Sequence, residues 1–470
     1  MSKHLLYTLL LAAGSLLTFH ACSLDIPPAD EQTEITNTKD ARSLLSSAYR
    51  SYPHFEYQLS LLSDDFCPTT LSRDDTDQKN LYQWQDLNIS ENTENVWNSY
   101  YTTIAGCNAL LDRMGEVVTE GAEDEAEKAC IEAEAKTLKA MCYFDLLRLF
   151  APAYSAGTDK DGIILKDNFV YGEDVARTSI GDCVEHIRTL LFEAKDVDNQ
   201  PTSNGWLSQT AVIYLLAELE LYAQNYGQAA QYAEQVLDKA DDSMFAESAF
   251  AQLWSAGACN ARIFSFYTDE TFYTNIQSFD MAAGDMYMLN PVVNTYAETD
   301  VRKAYHVYEF PEENDGTNVS CYVGKYNKMN REGTTIQYIN TMRYAGAYFI
   351  AAEAYSRQSG QEDKAAVLND YLEKVGAAPV DMGLRGEALT QAILTEKQKE
   401  FVGEGVRYFD LKRTRKATDT LQRLNNDNTG VSGTIKGDDY RWTFPIPKSE
   451  YLYNDAVSQN DGWPTNRPNQ

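Results

Sequence analysis

The chain has 470 residues, with 70 acidic against 40 basic side chains and a net charge of −30 at pH 7. A surface of that sign repels phosphate backbones, which makes nucleic acid a poor partner and disfavours polyanionic ligands, whereas neutral sugars or peptides are easier guests. The length is enough for a large core and two or three domain-sized units, and the charge is spread along the chain, as on a solvated surface.

The first 21 residues read as a secretory signal. Lys3 gives a basic start, and Leu5 to Phe19 form an apolar run of about 15 residues, where a spanning helix needs roughly 20. Ala21 then supplies a small residue directly before Cys22. This arrangement resembles a bacterial lipobox, in which the thiol takes a diacylglycerol and the peptide before it is removed. Cys22 is therefore the expected lipid attachment point. Each buried methylene contributes roughly 0.8 kcal/mol, and more than one acyl chain anchors stably. Losing Lys3 with the signal takes the mature chain to −31. Residues 22–40 read as an extended tether, because Pro27 and Pro28 oppose a helix.

"TKDARSLLSSAYRSYPH" opens a helix, and a polar loop is expected from Ser63 to Asn95. Trp97, Tyr101, Ile104, Cys107, Asn108, Leu111 and Met114 then recur at three- and four-residue steps, one face of a helix. Ala135, Leu138, Cys142, Leu146 and Leu149 repeat the pattern, so an antiparallel helical hairpin is expected. Ser179 followed by Asp182 fits a helix start. Leu216-Ala217, Asn225-Tyr226, Ala229, Ala233 and Val236 match the spacing of a tetratricopeptide helix pair. A second such unit starts at "YAGAYFIAAEAYSRQSG", with Ala352 to Ala365 one residue longer than Ala217 to Ala229. Between them, residues 241–340 lose helical periodicity and hold 17 aromatics. Residues 425–439 read as a polar loop, and 442–451 as extended around the prolines.

Besides Cys22 there are seven cysteines, an odd number without any C-x-x-C pair, and the apolar helical positions of Cys107, Cys142 and Cys183 suit buried free thiols. After the signal the histidines are His54, His186 and His306, far apart, and neither H-E-x-x-H nor G-x-S-x-G occurs. Histidine-centred metal or nucleophile chemistry has little material. Asp74, Asp75 and Asp77 could offer oxygens to calcium, but no glycine or bidentate glutamate completes a loop spacing, and a solvated acidic loop is the plainer reading. No cofactor is expected.

In order along the chain, the motifs resemble the SusD/RagB family of outer-membrane nutrient-binding lipoproteins of Bacteroidetes. They are "CSLDIPP", "WNSYYTTIAGCNALL", "EAEAKTLKAMCYFDLLRLFA", "ARTSIGDCVEHI", "ILTEKQKEFVGEGVRYFDLKR" and "FPIPKSEY…NDAVSQNDGW". The chain departs from the family pattern at Lys139, Ala151, Lys397, Asp455, Asp461 and Trp463. The resemblance implies a mainly α, tetratricopeptide-like helical-hairpin scaffold with long inserted loops and little β. It implies a signal at 1–21, a tether at 22–40, an N-terminal helical region at 41–240, an aromatic-rich irregular region at 241–340 and a C-terminal region at 341–470. It further implies a non-catalytic lipoprotein on the cell exterior that captures oligosaccharides, or peptides, for a TonB-dependent (SusC-like) transporter. A glycoside hydrolase with paired carboxylates and a pure protein-binding scaffold are the alternatives.

Residue type and location make Arg73, Tyr82 and Trp84 the first choice for ligand contact, and Trp254, Phe272 and Tyr273 the second. Sugar rings pack C–H faces on aromatics while their hydroxyls need polar partners. Glu404, Arg407 and Asp410 stand three residues apart and would share a helix face, where they are expected to satisfy one another as an ion-pair network locking the last helix to the scaffold.

Overall fold

A computed structural model describes residues 35–69, 72, 76–168, 174–254, 258–267, 287–311, 319–325, 338–426 and 430–465. Capping side chains set the starts of several helices. The Asn37 side chain accepts the Asp40 backbone N–H and opens α1, Thr38–Ser51. Thr76, Ser179 and Ser208 do the same at later helices by accepting from Lys79, Asp182 and Ala211. Each removes one of the donors that a helix start leaves unpaired.

α2, Glu56–Leu62, leads into β1, Phe66–Pro68, and then α3, Asp77–Tyr82. The stretch expected to be a polar loop is thus largely structured, and α4, Asp86–Leu111, begins nine residues before its expected end. Burial is the reason: Ile89, Thr93 and Val96 extend the apolar face of α4 upstream of Trp97. α4 and α5, Ala122–Phe150, pack as the expected hairpin. Cys107, Cys142, Leu138, Leu146 and Leu149 are all buried between them and their neighbours.

α6, Ile180–Ala194, leads to the first repeat pair, α7, Gln209–Tyr222, and α8, Tyr226–Leu237. Ala217, Ala229 and Ala233 are fully buried where the two helices cross, so the small side chains do permit a close approach. α9, Glu247–Leu253, follows. The second pair joins α11, Tyr344–Ser356, through a 3-10 turn, Glu362–Ala366, to α12, Val367–Lys374, and α11 packs against α8. α13, Gly386–Phe401, and α14, Val406–Thr414, carry the C-terminal signature, and α15, Lys448–Tyr453, lies near the end.

Between the repeat pairs lie β2, Arg262–Tyr267, β3, Tyr287–Leu289, a short helix α10, Val301–His306, and β4 to β6, Val307–Pro311, Val319–Val323 and Tyr338–Arg343. β1 pairs antiparallel with β3, β2 with β6 and β4 with β5. The stretch expected as a polar loop at 425–439 is mostly a hairpin: β7, Thr420–Leu424, pairs with β8, Val431–Lys436. Leu421, Ile435 and the Arg423 side chain are its buried face, Arg423 donating to the Leu61 and Ser63 carbonyls. In the stretch around the prolines, a 3-10 turn at Tyr440–Trp442 and α15 flank the extended run.

The seven described cysteines are all free thiols, five of them buried. Burial raises the Cys107 and Cys67 thiols to about 12, so they act as small apolar side chains. No described helix is long and apolar enough to cross a membrane.

Candidate functional site

The C-terminal signature residues face the middle of the molecule. Gly405, at φ 75°, bends the chain just before α14. A Cβ there would lie 3.0 Å from the Glu56 Cα, so only glycine lets this turn seat against α2. The bend also takes Glu404 off the helix, and the three signature residues separate. Glu404 accepts from Lys325 Nζ at 2.6 Å and from Arg343 Nη2 at 2.9 Å. Arg407 grips Asp64 with two bonds, 2.7 and 2.9 Å. Asp410 accepts from Lys397 Nζ at 3.0 Å and pairs with Arg413. The three do not satisfy one another as expected; each is locked to a different segment.

Asp64 and Asp65 share this environment with opposite results. Burial works to raise Asp64, but the Arg407 guanidinium overcomes it and holds the carboxyl below the usual range. Burial and the neighbouring Asp64 charge push Asp65 up to about 7. Arg407→Ala is expected to lower stability by about 2–3 kcal/mol, the cost of losing two hydrogen bonds to a charged group. The loss should be greater at pH 8 than at pH 5, because at pH 5 Asp65 already holds a proton, whereas at pH 8 both carboxyls are ionised and lose their shared cation. Denaturant unfolding at both pH values measures it, and unchanged stability with lost ligand binding would make Arg407 a ligand residue instead.

Lys397, Glu404, Asp410 and Arg413 line a cleft of about 160 Å³ between α2, α5, α7, α11, β6 and α13–α14. On its opposite side Asp145 is held by Arg148 and accepts from both Tyr52 and Tyr100. The Arg148 guanidinium stacks between Phe144 and Phe409, at 4.2 and 4.1 Å from their centroids. Glu218 and Tyr214 of α7 complete the wall. Burial pushes the Glu218 carboxyl above its ordinary range against the pull of Arg148 and Lys397. These residues were not singled out in the sequence. The signal was present: Glu218 and Glu220 interrupt a helix that is otherwise apolar all round, and such a charge must be buried with a purpose or a partner. Glu220 has its partner in Arg188, at 2.6 Å.

The residues expected to touch ligand fall elsewhere. Tyr82, Trp84 and Trp254 are core side chains, 1%, 0% and 1% exposed, and present no ring face to solvent. Tyr82 Oη accepts the Leu424 backbone N–H at 2.9 Å, under the Arg423 guanidinium. Trp84 Nε1 donates to the Leu62 carbonyl at 3.0 Å and its ring meets Trp442 edge-on at 4.6 Å. Trp254 lies beneath Lys325 and Arg343. Tyr82 and Trp84 sit in the stretch that reads as a polar loop and Trp254 in the aromatic, poorly periodic one; the short helices and strands of both need large rings to fill their junctions. Cys22, Arg73, Asp74, Asp75, Phe272 and Tyr273 lie outside the described residues. Asp77 sits in the first turn of α3 and accepts from Asn88 at 3.2 Å. Among the described residues no cluster of His, Cys, Asp and Glu is arranged to hold a metal.

A mainly helical scaffold of stacked hairpins, with signature acids buried as structural ion pairs, defines a class of helical-repeat scaffolds. A family model described as "SusD family" matches residues 280–463, and one described as "Starch-binding associating with outer membrane" matches residues 24–212. The chain belongs to the SusD/RagB family. It is similar to the SusD-like protein P25 of Formosa agariphila, 20% identical over 80% of this chain and 79% of that one. A SusD-like protein of Bacteroides ovatus is 25% identical over 34% of this chain, and the match spans only 29% of that protein. Among solved structures, a SusD superfamily protein of Bacteroides thetaiotaomicron superposes with a TM-score of 0.74 at 21% identity, covering 90% of this chain and all of that one. A putative sugar binding protein of Bacteroides vulgatus also gives 0.74, at 20% identity over 92% of this chain and all of that one. These similarities confirm the expected helical fold.

Proposed function

We propose that this protein is a non-catalytic, lipid-anchored receptor on the exterior of the outer membrane. It captures oligosaccharides and passes them to a TonB-dependent, SusC-like transporter. The observation that carries the reading is the pair of family matches, over 24–212 and 280–463, one of them described as starch-binding and outer-membrane-associated. The name of the Bacteroides vulgatus neighbour, a putative sugar binding protein, points the same way. Cys22 supplies the anchor in this reading.

The chemistry of the cleft argues against hydrolysis. Glycoside hydrolysis requires two carboxyl groups free to act as acid and as base or nucleophile. Here Asp145, Glu404 and Asp410 are each tied to a cation at short distance, which takes three of the five carboxyls lining the cleft out of acid–base work. Incubating the acylated protein with panels of oligosaccharides and of peptides tests the function. Saturable retention of an intact oligosaccharide is expected. Retention of peptides alone would replace the ligand class, and release of shortened sugars would overturn the reading. Mass spectrometry of membrane-extracted protein should find Cys22 acylated as the first residue.

A further inference from the structure

The hydrogen-bonding capacity of the central cleft is not used up. Tyr52 and Tyr100 both spend their hydroxyls on Asp145, and Lys397 and Arg413 are committed to Asp410. Three groups are left over. Tyr214 is 4% exposed, yet among the described residues its hydroxyl makes no hydrogen bond. That hydroxyl rests against the backbone of Gly346, where a Cβ would come within 2.0 Å of it, so the absent side chain at 346 makes its seat. Glu218 has attractive charges nearby but no hydrogen bond or ion pair. The Nε of Arg148 is buried and likewise unmatched.

A buried polar group with no partner costs roughly 1–3 kcal/mol. Arg148 Nε is such a group, and with the Tyr214 hydroxyl and the partly buried Glu218 carboxyl also unmatched on the cleft wall, the three describe a missing occupant more readily than separate faults. The volume, about 160 Å³, exceeds the roughly 150 Å³ that accommodates a benzene ring. Phe144, Phe409, Met141 and Met342 give the cleft apolar surface between its polar groups. The occupant must donate to Glu218, accept from Arg148 Nε, and do either with Tyr214. Hydroxyl groups do both. A cation would meet Arg148 and Lys397, and an anion would meet Glu218 and Asp145, so a neutral molecule fits best.

We propose that this cleft is a binding site for a single neutral polyhydroxylated ring of hexose size, with hydroxyls on Glu218, Arg148 Nε and Tyr214 Oη and ring C–H groups against the aromatic wall. In this proposal the site is distinct from the surface that captures oligosaccharides, whose carbohydrate chemistry it shares. A receptor with such a site registers free sugar as well as polymer.

The test uses the full-length protein, titrated calorimetrically with D-glucose, D-galactose, D-mannose and myo-inositol, with D-glucosamine and D-glucuronate as charged controls. One of the neutral rings should bind saturably at one site. Tyr214→Phe and Glu218→Gln should each weaken it at least about tenfold, or 1.4 kcal/mol, with the ligand-free unfolding midpoint and oligosaccharide retention unchanged. No saturable binding, equal binding by both variants, or preference for a charged control would overturn the proposal. Retention of oligosaccharides in the same samples reports on the capture function separately, so either can fail alone.

Discussion

Trp84→Ala is expected to lower the free energy of unfolding by about 3–5 kcal/mol, the usual cost of emptying a buried tryptophan site. The indole is wholly buried against Trp442 and Tyr408, and its N–H satisfies the Leu62 carbonyl. Alanine therefore leaves both a cavity and an unmatched carbonyl. The backbone adds a second measure of the packing. Trp84 sits at φ 57°, a left-handed conformation that costs a side-chain-bearing residue roughly 1–2 kcal/mol. The ring's contacts outweigh that strain. Denaturant unfolding followed by tryptophan fluorescence and by circular dichroism measures the loss. Oligosaccharide affinity of the folded variant should match wild type. A variant of undiminished stability that no longer binds would return Trp84 to the ligand surface.

Arg343→Met should cost about as much, roughly 3–5 kcal/mol, because it removes the cation shared by two buried carboxylates and leaves Glu404 with Lys325 and Glu400 with Arg302. Arg343 donates to Glu400 Oε1 at 2.7 Å and straddles Glu404, with the guanidinium over the Phe401 ring. Glu400 also accepts from Tyr371 at 2.6 Å and from Arg302 at 3.3 Å. Burial works to raise Glu400, but Arg343, Arg302 and Lys325 together hold it below the ordinary carboxylate range. A carboxyl depressed in this way stabilises the fold above its unfolded value, near 4.3. That contribution fades as pH falls through the folded value. Wild type should therefore lose stability on acidification, and Arg343→Met should lose less over the same interval because much of the depression is gone. Adding Glu404→Gln should recover part of the deficit. An Arg343→Met protein as stable as wild type at pH 7 would show that the network contributes little.

The sequence carried the helical half of this fold plainly and the site poorly, for physical reasons. Long helices announce themselves through apolar periodicity, and the α4–α5 hairpin, the Ser179 cap and the alanine-lined repeat crossing were all readable. Short elements leave no such record. β1 and α3 hold only three and six residues, too few for a period, so the segment from Ser63 read as an open loop and its aromatic rings as exposed. The β7–β8 hairpin escaped for a related reason: of its buried residues only Leu421 and Ile435 are apolar, and the third is Arg423. The signature acids were recognised, but not their partners. Asp64, Lys325 and Arg343 lie 61 to 343 residues from their partners along the chain, and a single glycine conformation at 405 redirects Glu404 away from the helix. Glu218 shows what could have been found, since an acid in an all-apolar helix is a conspicuous local conflict.

The end of α5 has a consequence for how the molecule is assembled. Lys412 Nζ donates to the carbonyls of Arg148 and Leu149, at 2.7 and 3.0 Å, and Asn460 donates to that of Phe150 at 2.8 Å. The longest described helix is thus finished by residues made more than 260 positions later. A nascent chain that has emerged only as far as the repeats has Arg177 for the Phe150 carbonyl, at 3.2 Å, but none of the Lys412 bonds to those of Arg148 and Leu149. Full sealing of that strut waits for the final sixty residues, and a transcript broken before them yields a polypeptide lacking the Lys412 and Asn460 bonds.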